Sequence, residues 1–161
     1  MYEQIPEELR TLRQWGLYQK IWQPEKNKYT KIPWSAVTGK RASSTNPSDW
    51  TTFDDALAYL QRSKFAGLGF VFANGYVGID VDHIGPDLDR LEAGDTQDNT
   101  AYEFLDAMKS YAETSLSGEG IHIIVRGNCL VVVVARRMLR CMSQDVFRND
   151  RQQDWALRWH Q

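Results

Sequence analysis

Apolar and polar positions alternate over several short stretches of this 161-residue chain, and a helical repeat interrupts the alternation twice. Residues 5–9, IPEEL, open a short helix or turn. Residues 14–23, QWGLYQKIWQ, alternate loosely and are rich in aromatics, which predicts a strand. A polar turn at 24–28 leads into a second predicted strand at 29–34, YTKIPW. A donor-rich loop follows at 40–47, and Asn46 or Ser48 is positioned to cap a turn into Trp50. Thr52 then caps a predicted helix over 53–62, with Phe53, Ala56, Leu57 and Leu60 on one face.

The second half of the pattern is clearer. Residues 68–72 and 76–82 are β-rich runs on either side of Asn74-Gly75, and Asn-Gly between such runs predicts a hairpin. A polar loop is expected at 85–99. A helix is expected at 101–111, with Phe104, Leu105 and Met108 as its apolar stripe. A small-residue loop at 115–120 precedes a third core strand, IHIIVR, at 121–126. Helices set around a hairpin-containing sheet predict an α+β fold.

Composition bounds the classes. A chain of this length can bury a core of its own. The five Pro and eleven Gly are ordinary counts, which excludes collagen-like and low-complexity classes. No apolar run approaches the roughly 20 residues that span a bilayer, so no membrane partner is expected. The opening MYEQIPEELR lacks a basic segment followed by an apolar one, so no secretory signal is expected. Cys129 and Cys141 lack a metal-type spacing and fit a reducing compartment, which points to a cytoplasmic protein. The net charge of -2 does not by itself suggest a nucleic-acid binder.

That average conceals a shift along the chain. Residues 1–128 hold 13 of the 19 Lys and Arg and 18 of the 21 Asp and Glu. The remaining residues hold six Arg against three Asp, both Cys, and no Lys, Glu, Gly or Pro. Loops need Gly and Pro as punctuation, so this tail reads unlike the rest.

Three clusters carry candidate chemistry. Asp80 and Asp82 stand at i and i+2 of a predicted strand and share a face, with Ile79 and Val81 on the other. Two like charges that close repel unless a cation lies between them, and hard oxygen ligands suit Mg²⁺ or Mn²⁺. Taken alone, the pair more often marks a solvated strand end. His83 points away from the pair and reads as structural. The second cluster is Ser117-Gly118-Glu119-Gly120-Ile121-His122. Its Gly118 and Gly120 allow close backbone approach to an anion, and His122 can donate to a phosphate oxygen. A tight turn before a strand would use the same residues. The third is the basic loop region with Lys31, Lys40, Arg41, Ser43 and Ser44, suited to phosphates or simply to solvent. The aromatics Trp15, Tyr18, Trp22, Tyr29 and Trp34 suit either core packing or base stacking.

In chain order, KYTKIPWSAVTGKRASSTNPSDWTTFDDALA, GLGFVFANGYVGIDVDH and ETSLSGEGIHIIVRG together resemble one family. It is the N-terminal primase–polymerase domain of phage and plasmid replication proteins, in the archaeo-eukaryotic primase superfamily. The resemblance runs from about Ile5 to Gly127. GIDVDH is similar to the superfamily's first motif and SGEGIH to its second. The resemblance implies an RRM-like catalytic sheet packed with an N-terminal α/β unit, and DNA-directed nucleotidyl transfer. It implies Asp80 and Asp82 as ligands of two Mg²⁺ or Mn²⁺ ions. It implies Ser117, Gly118, Gly120 and His122 as contacts to an incoming nucleoside triphosphate, with Asp80, Asp82 and His122 the catalytic set. Lys31, Lys40 and Arg41 match less closely and would assist on nucleotide or template phosphates. Template DNA and a helicase, in the same protein or a separate one, are the implied partners, in a bacterial host's cytoplasm.

The family's third motif, one more carboxylate on a later strand, has no match in the tail; Asp145 is the nearest acid. A shifted reading frame accounts for this. With permitted codons, residues 128–147 shift to LPGGGGGKTDASLYESGRF, and a second shift continues as FAMTGNRTGHSGGI. The join, YESGRFFAMTG, is similar to the third motif, with its glutamate. The expected organisation is therefore a primase–polymerase-like domain at 1–127, truncated before its final strands, and an out-of-frame or non-native tail at 128–161. The chain as written is expected to be inactive or impaired. The competing expectations are a degenerate nucleotide or single-stranded DNA binding module without catalysis, and a metal-dependent nuclease.

Overall fold

In the computed structural model, residues 2, 4–115, 117–127 and 139–142 are described. They fall in two compact units, the first reaching Val71 and the second beginning at Phe72.

The aromatic run near the start folds as a strand because Trp15 and Leu17 both find apolar surroundings. Both are buried, and the strand β1 (Trp15–Gln23) pairs antiparallel with β2 (Lys28–Trp34) and with β3 (Gly67–Phe70). The sheet order is β2-β1-β3. A short helix, α1 (Glu7–Arg10), precedes it, and its Leu9 carbonyl accepts from Trp15 Nε1 at 2.9 Å. The helix α2 (Phe53–Gln61) is capped as its sequence predicts: Thr52 Oγ1 accepts from Asp55 N, and Asp55 Oδ2 accepts from the Thr52 hydroxyl. Its Phe53 ring meets Trp15 edge-on at 5.0 Å, while Phe70 does so from β3 at 5.1 Å. Asn46 caps the 3₁₀ turn Pro47–Asp49 through Ser48 N.

The second unit is a four-stranded antiparallel sheet of β4 (Tyr76–Val81), β5 (Ala112–Thr114), β6 (Ile121–Arg126) and β7 (Leu139–Met142), in the order β5-β6-β4-β7. The first strand in the chain thus lies between the third and fourth, which is the RRM-like order. Helices α3 (Gly85–Glu92) and α4 (Thr100–Met108) lie between β4 and β5 in the chain. One sheet face supplies Ile79, Val81, Ile121 and Ile123 to a core with Ile84 and Ala101. Leu88 and Leu91 of α3, and Phe104 and Leu105 of α4, pack against it. Together the two units are α+β, as the pattern predicts.

Three expectations change. The Asn74-Gly75 turn forms, with φ of 54° and 80° and Tyr76 N donating to Ala73 O at 3.1 Å. The hairpin does not, because β3 pairs with β1 while β4 pairs with β6 and β7. The segment 85–99 is not all loop. Pro86 starts α3, where its missing N–H costs nothing, and Leu88 and Leu91 face the core, although five acids make the segment read as polar. Asn99, fully buried, then caps α4 through Tyr102 N and donates to the carbonyls of Asp87 and Asp95. The α4 helix ends at Met108 rather than 111, with Lys109 left-handed at φ 45°, which leaves room for the unanticipated strand β5.

Strand β7 falls within the tail and pairs with β4. Residues 128–138 and 143–161, including Asp145, lie outside the described residues.

Candidate active site

Strand alternation sends Ile79 and Val81 to the helix-covered face and Asp80 to the other. The same rule sends Ile121 and Ile123 inward from β6 and His122 outward. In the register, Asp80 is opposite His122 and His122 is opposite Glu113. Four strands therefore bring one residue each into a single row across the sheet, Glu113, His122, Asp80 and, opposite Asp80 on β7, Arg140.

The row is closely spaced. His122 Nε2 lies 3.3 Å from Asp80 Oδ1, and His122 Nδ1 lies 3.3 Å from Glu113 Oε1. Asp80 and His122 are 8% and 9% exposed, so these charges are largely withdrawn from water. Burial pulls the imidazole pKa down. The close carboxylates of Asp80 and Glu113 outweigh it and hold the pKa at about 9. His122 is thus an imidazolium at neutral pH, flanked by two carboxylates. Its Asp80 contact is at ion-pair distance without hydrogen-bond alignment, so Asp80 Oδ1 is buried and lacks an aligned donor. Glu113 escaped the sequence reading because a three-residue strand has too little pattern to reveal its face.

Asp82 lies just past the end of β4 and is half-buried. His83 beside it is exposed, with φ 61°, and joins none of these contacts. The SGEGIH loop closes over this end of β4. Ser115 N donates to Gly120 O at 2.7 Å, Gly118 N to Ser115 O at 2.9 Å, and Ile84 N to Glu119 O at 2.8 Å. A Cβ on Gly120 would lie 2.5 Å from Val81 O and 3.4 Å from Asp82 Oδ1, so only glycine allows this approach. Gly118, at φ 78°, instead supplies the left-handed turn. Ser117 Oγ bonds Ser115 Oγ at 3.0 Å and accepts from Glu119 N at 3.3 Å. Two of the loop's amides, of Gly118 and Glu119, are thereby engaged within the loop.

The structure thus sets Asp80 beside His122 and Asp82 against Gly120, and adds Glu113; Ser117 and Gly118 belong to the same loop as Gly120, with contacts to Ser115 and Glu119. Lys31, Lys40 and Arg41 belong to the first unit, outside this sheet. Lys31 is on β2, Lys40 O accepts from Ser35 N, and Arg41 bridges to Trp34. Among the described residues, no group of three or more His, Cys, Asp or Glu is gathered as a metal site. Asp80 Oδ1, buried and paired with His122 but without an aligned hydrogen-bond donor, and the Asp82 carboxylate past the strand end are oxygen ligands of the type a divalent cation takes.

Over 109 residues the chain is 40% identical to a protein named DNA primase-polymerase from Nitratiruptor phage NrS-1. The chain is related to the phage primase–polymerases. The match covers 66% of this chain and 14% of the phage protein, so the chain corresponds to a small part of its primase–polymerase relative. No family model matches. No helix among the described residues is long and apolar enough to cross a membrane.

Proposed function

We propose that this chain derives from a DNA primase–polymerase domain that transfers nucleotides from nucleoside triphosphates under the direction of template DNA. The observation that carries the reading is the Asp80–His122 pair. The two motif residues, distant in the chain, meet at 3.3 Å on adjacent strands, on the sheet face opposite the helices. Template DNA, a helicase partner and action in the cytoplasm of a bacterial host follow from the same reading.

Asp80 and Asp82 would hold Mg²⁺ or Mn²⁺. When bound, such ions activate an attacking hydroxyl and stabilise charge on the leaving pyrophosphate. The chain's own residues do the rest. Glu113 and Asp80 together keep His122 protonated, so its imidazolium is a charged donor for a triphosphate oxygen. Gly120 holds the SGEGIH loop against the strand end, beside Asp82. Ser117 can rotate its hydroxyl from Ser115 to a phosphate.

The chain as written lacks the third motif's carboxylate, and its activity is accordingly impaired. The cause is a shifted frame from about Asn128. The coding sequence tests this: the valines at 131–134 must use codons ending in G. Primer extension tests the function. The frame-restored product extends a primed template with Mg²⁺ or Mn²⁺ and the chain as written does so weakly or not at all. Robust synthesis by the chain as written overturns the impairment, and a restored product that binds neither nucleotide nor template overturns the function.

A binding module without catalysis is the second reading, favoured by the absence of a three-ligand group among the described residues. Nucleotide binding that is indifferent to divalent metal would select it.

A further inference from the structure

The far end of the β1–β2 hairpin carries two cross-strand rungs of unusual composition. Trp22 is opposite Tyr29, and Lys20 is opposite Lys31. Both rungs project from the same face, because Lys20 and Trp22 are two apart on one strand and Tyr29 and Lys31 two apart on the other. Tyr18 stands on this face too, buried, with Lys31 Nζ 5.8 Å above its ring. The face passes from core to solvent within two rungs.

The Trp22 and Tyr29 rings pair with each other and Lys31 lies over Tyr18, yet the rings leave much of their area to solvent. Trp22 and Tyr29 are 45% and 62% exposed, while Trp15 and Tyr18 on the same strand are buried. Two lysines directly opposite each other oppose strand pairing. The hairpin segment 19–32 carries four lysines and one glutamate in a chain whose net charge is -2. Exposed rings beside concentrated positive charge are what a polyanion with accessible aromatic faces would need.

We propose that this face of the hairpin tip, built from the Trp22–Tyr29 and Lys20–Lys31 rungs, is a stacking surface for single-stranded DNA. The two rings meet at 63° with centroids 4.9 Å apart, so they form a notch. A base stacks on one ring and abuts the other. The backbone phosphates on either side meet the lysine rung. Paired bases hide their faces, so the surface selects single strands over duplex. The choice of a DNA template as the strand rests on the proposed function; the stacking chemistry does not.

Fluorescence anisotropy of a labelled oligothymidylate, without metal or nucleotide, tests this on the full chain. Trp22→Ala and Tyr29→Ala are each expected to weaken binding roughly ten-fold, and Trp22→Phe to stay near the original affinity. Lys20→Gln combined with Lys31→Gln is expected to reduce the slope of log affinity against log salt by about 1.4. Equal affinity of the alanine variants, or preference for a duplex of matched length, overturns the proposal. So does a change of oligomeric state in Trp22→Ala with DNA affinity intact, which would make the face a protein contact. Unchanged single-strand binding beside intact Mn²⁺-dependent nucleotide binding removes the hairpin's role and spares the proposed function. Absent nucleotide binding beside weakened alanine variants does the reverse.

Discussion

His122 and Asp80 occupy one register position on β6 and β4, with the ring nitrogen 3.3 Å from the carboxylate oxygen, and Glu113 holds the other ring nitrogen at the same distance. A histidine so placed couples site chemistry to stability.

In the unfolded chain the His122 imidazole returns to about 6.5, while in the fold it is held at about 9. The proton is therefore bound more tightly in the folded state. Its stabilising contribution is complete below about pH 6.5 and is lost as pH rises through about 9. Urea midpoints measured without divalent cations should fall across that window. His122→Gln should remove most of the fall, and a flat profile in the original chain would contradict the ion pairing.

Asp80→Asn removes one of the two carboxylates that oppose burial. The His122 pKa should drop, and an NMR titration of its ring protons reads this directly. An unchanged value would mean that Glu113 alone holds the proton. On the proposed function, Asp80→Ala in the frame-restored product should cost about a thousand-fold or more in primer extension, because loss of a metal ligand would forfeit several kcal/mol of transition-state stabilisation.

Gly120 and Gly118 separate two roles within one loop. Gly120→Ala drives a Cβ against Val81 O, a backbone atom, and should cost about 1–3 kcal/mol. It should also weaken Mn²⁺ binding, since Asp82 lies against the same position. Gly118→Ala meets no neighbour but strains a φ of 78°, so it should cost about 1–2 kcal/mol and spare the metal. Thermal melts with and without Mn²⁺ distinguish the two; equal metal effects would contradict the packing.

Thr52→Ala should destabilise α2 by about 1 kcal/mol, with Thr52→Ser restoring most of it. Denaturant midpoints check this, and an unaffected alanine variant would show that the cap is idle.

The sequence by itself determined the elements whose signals are local. Thr52 and the apolar face behind it specify α2. Alternation specifies β1, β2, β4 and β6, and it puts Asp80 and Ile79 on opposite faces of one strand. The order of the two motifs sufficed to resemble a family to which the comparison relates the chain. Tertiary structure decided the partners. A period-two pattern says which face a residue takes but not which strand lies beside it, so the Asn74-Gly75 turn formed without the hairpin it signals. Glu113 joined the site only because the short β5 found the free edge of β6. The helix α3 was hidden by its own acids until Leu88 and Leu91 had a core to cover. The Asp80–His122 distance belongs to this second class: the residue types are written in the chain, and their meeting depends on a register that many separate contacts set together.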